Sequence, residues 1–313
     1  MLNQPSSESR PCFSICIHRL LSEIGFRHRP SPPCDADFWE PFHGWMLNLL
    51  GPMSSWGPEM LAELEHSSGD LIERIYPYAS LELKLLFAKL SAMAILIDDC
   101  FEELHDDLVQ FSAKLYRGEA QTNGLLALYY TSMQELSDMY GKDSVLRGLA
   151  IVPWMNFLDG CLMEKQVLTA ERQQSKCENE DGLALKFPHY LRSKSGIAEA
   201  YAAGIFKITK DQYLPLTNYI RTLPEVAFYI EAFNDVLSFY KEEIAEETCN
   251  FIHLRTRSIS FSGACGTNQW TQYDTLRLLC SELTEATHRI DALLRLNECE
   301  RKVRGRGGGE RYR

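Results

Sequence analysis

The chain has 313 residues, of which 45% are apolar and 24% charged, so it can bury a substantial core and has the charge content of an ordinary globular protein. Its formal net charge of −11 at pH 7 argues against a nucleic-acid-binding protein, because such proteins gain much of their affinity by neutralising phosphates. The ten cysteines are scattered, without a C-x-x-C pair or two histidines at ligand spacing. This favours buried thiols over zinc or disulfides.

The N-terminus carries no recognisable targeting signal. Residues 1–12 are polar, include two prolines and lack the apolar stretch of a secretory peptide. The most strongly apolar run, 85–97, contains Lys89 and is too short to cross a bilayer. These features predict a soluble, cytoplasmic protein with no integral membrane span.

Apolar residues at three- and four-residue spacing predict helices over nearly the whole chain. The clearest helical segments are 81–104, 219–244 (broken only at Pro224) and 270–296. No segment alternates for long enough to predict a strand. Loops are expected at 30–33, 173–182 and 258–268. The sequence therefore predicts one all-α domain of about ten helices.

That single domain is expected to cover 1–313, with N-terminal helices in 1–80. The last segment, 301–313, has six Arg or Lys residues against one Glu, and it contains a glycine-rich run at 305–309. Glycine-rich segments behave as flexible coils. We therefore expect 301–313 to form a flexible basic tail, either as a plain appendage or as a segment that closes over an anion.

The first candidate site is Asp98-Asp99-Cys100-Phe101-Glu102-Glu103, directly after an apolar run. On a continuous helix, Asp98 and Glu102 share one face, and so do Asp99 and Glu103. Four carboxylates in six residues repel one another, so the cluster favours a bound cation. Oxygen ligands without His or Cys favour Mg²⁺ over zinc. The alternative is a solvated helix end.

The second candidate site lies in the predicted helix 219–244. Asn234, Ser238 and Glu242 are spaced i, i+4, i+8, so each is rotated only about 40° from the last. An amide oxygen, a hydroxyl and a carboxylate on one stripe can chelate Mg²⁺. A solvent-facing polar stripe is the alternative, but the surrounding helix is rich in aromatic residues, and polar groups among such neighbours are more often functional or hydrogen-bonded inward.

Together, the two patterns resemble the class I terpene synthases, in which an aspartate-rich motif and an N-D-x-x-S-x-x-x-E motif face each other across a cavity. The residue sequence from Asn234 to Glu242 is most similar to that of the trichodiene synthase family of fungal sesquiterpene cyclases. The first motif departs from that family, because it ends in Glu102-Glu103 where aspartates are usual. The resemblance implies an all-α class I terpenoid synthase bundle around a central apolar cavity.

Two further elements are similar to features of this family. Arg192-Ser193-Lys194-Ser195-Gly196 resembles a diphosphate-sensing arginine followed by a linker residue and an effector glycine at a helix break. Arg311-Tyr312 resembles a C-terminal pair that binds diphosphate on closure, a role that suits the planar fork of arginine.

The resemblance implies three Mg²⁺ ions and a set of ligands. The metal ligands would be Asp98, Glu102, Asn234, Ser238 and Glu242. The diphosphate would be bound by Arg192, Lys241, Arg311 and Tyr312, with Asp99 holding Arg311 by an ion pair and with Ser195 and Gly196 as linker and effector. A carbocation needs a dry pocket with aromatic faces. The candidate lining residues are Trp154, Phe157, Tyr201 and Phe233.

The implied activity is a carbon–oxygen lyase reaction: ionisation and cyclisation of farnesyl diphosphate, with geranyl diphosphate as the alternative substrate. One competing function is a chain-elongating prenyltransferase, which normally presents aspartate-rich motifs on both helices, unlike the second set here. Another is a non-catalytic isoprenoid-binding paralogue. The expected partner is a small isoprenoid diphosphate and no nucleic acid, and a homodimer is left open.

Overall fold

The computed structural model describes residues 9–28, 35–141, 143–173, 184–245, 247, 249–262 and 270–307. Twelve α-helices occur in these parts of the chain, which contain no strand beyond one isolated bridge between Lys207 and Tyr213. The helices are α1 Ser9–Glu23, α2 Ala36–Trp45, α3 Pro58–Ile75, α4 Leu81–Asp99, α5 Phe101–Arg117, α6 Gly124–Met139, α7 Ser144–Gln173, α8 Phe187–Ser195, α9 Ala198–Ile205, α10 Leu223–Ile244, α11 Phe251–Phe261 and α12 Gln272–Gly307. The predicted all-α class is confirmed.

Several helices begin or end where local chemistry satisfies their backbone groups. Ser80 caps α4 by accepting from Leu83 N, and Asn250 caps α11 by accepting from His253 N. Gly118 ends α5 with a left-handed φ of 69°, a conformation that glycine adopts without steric cost.

The chain divides into two compact units. The first comprises Met1–Arg29, Glu164–Ala202 and Pro215–Arg313, and the second comprises Pro30–Met163 and Ala203–Leu214. The prediction of one domain spanning the chain stays a prediction.

In the first unit, α10 and α1 both pack against α12, and α11 also joins this cluster. One face of α10 supplies Ala232, Val236 and Phe239 to the shared core. The other core members include Leu20, Ile252, Leu276, Leu279 and Leu283. Burial of this face fixes the rotation of α10 about its axis, and the polar residues of the same helix are thereby turned away from the core.

In the second unit, α4 is the central helix and packs against α2, α3 and α6. Eleven of its nineteen residues are buried, among them Leu83, Phe87, Leu90, Met93 and Ile97. A helix that is apolar on nearly all sides is one that is surrounded by other helices.

Five predicted helix and loop features need correction or fall wholly or partly outside the described residues. The predicted helix 81–104 is interrupted at Cys100, which has φ −97° and ψ 21°. Pro224 does not break a helix, because it lies in the first turn of α10, where its missing N–H leaves no bond unmade. The loop expected from 258 starts later, since α11 continues to Phe261. Residues 30–33, 174–182 and 263–268 lie outside the described residues.

The C-terminal region is helical further than its sequence indicates. Helix α12 continues to Gly307, although glycine and charge content lower the helical signal of 301–307. The flexibility expected of 301–313 stays a prediction. Residues 308–313, with the predicted diphosphate ligands Arg311 and Tyr312, lie outside the described residues.

One helix is long and apolar enough, by length and composition, to cross a membrane. It is the segment Ser144–Thr169 of α7, and 44% of its most apolar window is buried within the protein. Core helices of globular proteins meet the same criterion, so a single such segment is weak evidence for a span.

Candidate functional site

The polar stripe predicted on α10 is present as a helical feature. Asn234 is exposed, and Ser238 and Glu242 are half-buried. All three lie within one continuous helix, Leu223–Ile244, whose apolar residues Val236 and Phe239 pack into the core. The stripe is therefore held in place by the packing of the opposite face of α10.

Arg192 on α8 contacts the same stripe. Its Nε lies 2.8 Å from Oδ1 of Asp235, and its Nη2 donates to Oδ1 of Asn234 at 2.9 Å. The side chain of Arg192 is only 18% exposed and that of Asp235 only 11%. The structure thus brings together the predicted diphosphate sensor and the predicted metal ligand Asn234, through an ion pair that is largely shielded from water.

Two oxygen atoms in this stripe lack a full set of hydrogen-bond partners. Asp235 Oδ2 and Ser238 Oγ are buried and make no hydrogen bond of good geometry among the described residues. Burial raises the pKa of Glu242, although the nearby Ser238 hydroxyl partly opposes the rise. Buried polar groups are normally satisfied, so the stripe has the oxygen donors and the unmet acceptor capacity that suit a hard cation such as Mg²⁺.

Glu231 is a residue of this region that the sequence prediction missed. It lies one turn before Asp235 on α10, and its carboxyl group is near Arg192, Asp235 and Glu199. Burial raises the pKa of Glu231 to about 7, with Arg192 opposing the shift and the two neighbouring carboxylates adding to it. A helical period of 3.6 residues already places Glu231 on the stripe, so this signal was available in the sequence.

The helix break expected after Arg192 is present, and its unusual backbone conformation falls on the residue after the glycine. Helix α8 ends at Ser195 and α9 begins at Ala198. Gly196 itself is in the right-handed region, with φ −84°, and Ile197 carries the unusual φ of +53°. A left-handed conformation is rare for a β-branched residue and costs energy.

Glycine is required at 196 because of close approach. A Cβ at this position would lie 2.9 Å from both the Arg192 carbonyl oxygen and Glu231 Oε1. The predicted linker Ser195 donates within α8 to the Leu191 carbonyl at 3.4 Å. The break is therefore packed directly against the stripe of α10.

The acidic cluster in the second unit has a different local structure from the one predicted. Asp98 and Asp99 are the last two residues of α4, and Glu102 and Glu103 lie in the first turn of α5. All four are exposed. The expectation that Asp98 and Glu102 share one helix face is wrong, because the helix is interrupted between them at Cys100.

One contact of Asp98 was not anticipated. The thiol of Cys161, a buried residue of α7, donates to Asp98 Oδ1 at 3.8 Å. Among the described residues, no three His, Cys, Asp or Glu side chains are grouped so that they could hold a metal ion by themselves. A metal at either set would therefore need amide, hydroxyl, water or substrate oxygens as additional ligands.

The predicted lining residues divide into two pairs. Trp154 has no exposed surface, packs against Phe87 and accepts a hydrogen bond from Tyr129 through its backbone carbonyl. Phe157, at 7% exposure, is buried as well, and the lining role of these two residues stays a prediction. Tyr201 and Phe233 are half-buried, and Phe233 stacks on Tyr229.

Two exposed apolar residues beside the motifs were missed. Ile95 on α4 is 38% exposed one turn before Asp98, and Leu237 on α10 is 50% exposed next to Ser238. The predicted diphosphate ligand Lys241 is also exposed on α10, and Asp99 is exposed at the end of α4. The ion pair expected between Asp99 and Arg311 involves a residue outside the described part of the chain.

Comparison with known proteins gives a consistent class. No family model matches the chain. It is 30% identical to terpene synthase BipA of Cochliobolus sativus over 219 residues, which is 70% of this chain and 61% of that protein. It is also 30% identical over 197 residues to (E)-beta farnesene synthase of Metarhizium brunneum, covering 61% of this chain and 56% of that protein. The chain thus spans about three fifths of the length of these curated relatives.

A solved structure supports the fold. The linalool/nerolidol synthase of Streptomyces clavuligerus superposes with a TM-score of 0.60 at 15% identity, covering 85% of this chain and 87% of that protein. The fold is therefore that of the class I terpenoid synthases. The chain is related in sequence to fungal terpene synthases, which confirms the resemblance inferred from the two motifs, although no relative specifies the trichodiene synthase branch.

Proposed function

We propose that this protein is a magnesium-dependent terpene synthase that ionises an isoprenoid diphosphate and converts the resulting carbocation into a terpene. The observation that carries the proposal is the α10 stripe. Asn234, Ser238 and Glu242 lie at helical spacing on a face that the core does not use, and a shielded arginine contacts that stripe. The relatedness to fungal terpene synthases supports the same activity.

In this proposal, Mg²⁺ is bound by the oxygen atoms of Asn234, Ser238 and Glu242 at the α10 stripe, and by Asp98 and Glu102 at the acidic cluster. Bound Mg²⁺ acts as a Lewis acid that stabilises the leaving diphosphate. Exposed Lys241 and the tail residues Arg311 and Tyr312 would bind the diphosphate oxygens, with Asp99 pairing with Arg311.

Arg192 would bind the diphosphate directly, and the structure defines what this requires. Its guanidinium is already engaged by Asp235 and Asn234. Contact with diphosphate must therefore add to these bonds or replace the one to Asn234, whose amide oxygen is also the proposed metal ligand. Stabilising charge in this way is among the largest contributions that a protein makes to catalysis.

The apolar residues beside the motifs would protect the cation from water. In the first unit, Tyr201, Phe233 and Leu237 expose apolar or aromatic surface, and an aromatic face can stabilise a cation without reacting with it. We propose farnesyl diphosphate as the substrate, because one of the relatives is named a farnesene synthase. A cytoplasmic location is part of the same proposal, whereas the comparisons give no support for a homodimer.

The test is incubation of the purified chain with farnesyl diphosphate or geranyl diphosphate and Mg²⁺, followed by gas chromatography of the organic phase. We expect a volatile terpene together with released diphosphate. Activity should disappear with a chelator and return with Mg²⁺. Turnover that survives exhaustive chelation, longer prenyl diphosphates as products, or an absence of turnover would each contradict the proposed synthase.

A further inference from the structure

Glu231 lies on the same face of α10 as the polar stripe, one turn before its first residues. Each residue of an α-helix rotates by about 100°, so Glu231 lies within about 40° of Asp235 and about 20° of Ser238 and Glu242. It is also the residue of this stripe that the predicted motif does not include. Its position places a carboxyl group one turn from Asn234 and Asp235 and on the side of α10 that Arg192 contacts.

The side chain of Glu231 packs against the break between α8 and α9. The space beside the Gly196 Cα is filled by Glu231, since a Cβ there would lie 2.9 Å from Oε1 and 3.0 Å from Cγ of Glu231. The Arg192 guanidinium reaches the backbone carbonyl of Glu231 at 3.5 Å. One residue of α10 is thus adjacent to both the arginine and the glycine of the Arg192–Gly196 segment.

The break that Glu231 contacts is conformationally strained. Ile197, the next residue after Gly196, is buried and has a left-handed φ of +53°. Such a conformation persists only where the surrounding structure holds it in place. The contacts available to do so include the Gly196 N–H bond to the Arg192 carbonyl and the packing of Glu231 on Gly196.

We propose that Glu231 is a positioning residue, whose side-chain packing on Gly196 holds the Gly196–Ile197 break in the conformation that Arg192 needs to bind diphosphate. This inference rests on the proposed function and adds a residue outside its motifs. Glu231 acts through volume and shape rather than by touching the reacting atoms. Replacing the carboxyl by an amide should therefore preserve the effect, whereas removing the side chain beyond Cβ should abolish it.

The experiment compares Glu231→Ala and Glu231→Gln with a matched pair, Glu225→Ala and Glu225→Gln. Glu225 lies six residues earlier on the same helix and forms an ion pair with Arg289 at 3.0 Å. Two quantities are measured: hydrogen exchange of the backbone amides across 195–198 without substrate, and kcat and KM for diphosphate release with Mg²⁺.

We expect faster exchange across 195–198 in Glu231→Ala, and wild-type exchange in Glu231→Gln and in both Glu225 variants. We also expect kcat/KM of Glu231→Ala to fall about 10–100-fold, because small misplacements of binding groups have effects of this size. Glu231→Gln should recover most of that loss.

Unchanged exchange in Glu231→Ala, or a Glu231→Gln variant as impaired as Glu231→Ala, would overturn the inference. A fall in melting temperature with kcat/KM preserved would reduce Glu231 to a structural role and would overturn it too. If the wild-type chain releases no diphosphate, the proposed function fails. The exchange measurement then still decides whether Glu231 positions the break.

Discussion

The two candidate ligand sets use similar chemistry in opposite local settings. The α10 set lies within one helix, has two half-buried members (Ser238 and Glu242), and contacts the shielded Arg192–Asp235 ion pair through Asn234. The acidic cluster is exposed, is divided between the end of α4 and the start of α5, and has two carboxylates at the end of a helix where the dipole is already negative. A single helix therefore fixes the relative positions of the α10 ligands. The relative positions of the cluster carboxylates depend on how the end of α4 and the start of α5 are placed.

The two settings should separate the effect of an ionisable group on stability from its effect on activity. Residues around the α10 stripe affect both stability and activity, because their charges are balanced inside the protein. Substituting a carboxylate of the exposed cluster should change the free energy of unfolding little, since exposed charges interact weakly. Substitutions at the two regions should then give different ratios of stability change to activity change.

The largest expected effect is on turnover at the α10 stripe. Asn234→Ala and Glu242→Ala should each lower kcat by about 100–1000-fold, the size found when one group that stabilises developing charge is removed. The free energy of unfolding should change much less, because Asn234 is exposed and Glu242 is half-buried. Steady-state kinetics and denaturant titration measure the two effects.

Glu225→Ala on the same helix is the control, and it should keep wild-type kcat. If both stripe variants kept near-normal rates, the proposed metal site on α10 would be misplaced.

The next effect is on stability. Arg192→Ala should lower the free energy of unfolding by about 3 kcal/mol, since it leaves the largely buried Asp235 carboxylate without its partner. Arg277→Ala is the matched control. Arg277 pairs with Asp274 at 2.8 Å but is 56% exposed, so its loss should cost less than about 1 kcal/mol. Equal losses for the two variants, measured by urea denaturation, would show that the Arg192 pair is no better shielded than a surface pair.

A smaller, pH-dependent effect is expected at Glu231. Burial raises the pKa of its carboxyl to about 7 in the folded chain, above the usual range for glutamate. The folded state then binds more protons than the unfolded state between the two pKa values, so this group's contribution to stability is greatest at low pH and is lost as the pH rises towards 7. The stability of the neutral Glu231→Gln variant does not fall with rising pH for this reason.

Melting temperatures of Glu231→Gln and the wild type should therefore diverge in favour of the variant between pH 4.5 and pH 7. Charged neighbours Arg192, Asp235 and Glu199 are common to both proteins. A difference that stayed constant, or that favoured the wild type increasingly at higher pH, would exclude a raised pKa at Glu231.

The smallest expected effect is a change in stability at the acidic cluster, and the sign of that change is the test. Asp98 is in the last turn of α4 and Glu102 in the first turn of α5. Asp98→Asn should stabilise the folded chain by about 0.5 kcal/mol, and Glu102→Gln should destabilise it by about the same amount, because the helix dipole opposes the first charge and favours the second. Both variants should lose turnover if the residues bind Mg²⁺. Stability changes of the same sign would contradict the interruption at Cys100.

The sequence predicted the α10 site better than the acidic cluster, for a physical reason. Within one helix, spacing determines direction, so Asn234, Ser238 and Glu242 could be placed on one stripe from their numbers alone. The same reasoning failed for Asp98 and Glu102, because it assumed a continuous helix. No Gly or Pro marks the interruption at Cys100, and the last turn of one helix and the first turn of the next have the same local pattern.

Burial of aromatic residues was likewise not readable from the sequence. Trp154 and Phe233 both lie on helices with mixed patterns, yet the first is fully buried and the second is half-buried. Which side of such a helix meets another helix depends on partners far away in the chain. Helical periodicity identifies faces but does not identify their neighbours.

By itself, the sequence determined the helical class, the stripe of oxygen donors on α10 and the resemblance to terpene synthases, because these depend on residue types and on short-range spacing. The tertiary structure decided where α4 ends, that Ile197 rather than Gly196 takes the left-handed conformation, and that Glu231 fills the space beside Gly196. Those features arise when segments distant in sequence compete for the same volume and the same charges. A strained backbone or a buried carboxyl persists only where the surrounding packing offsets its cost.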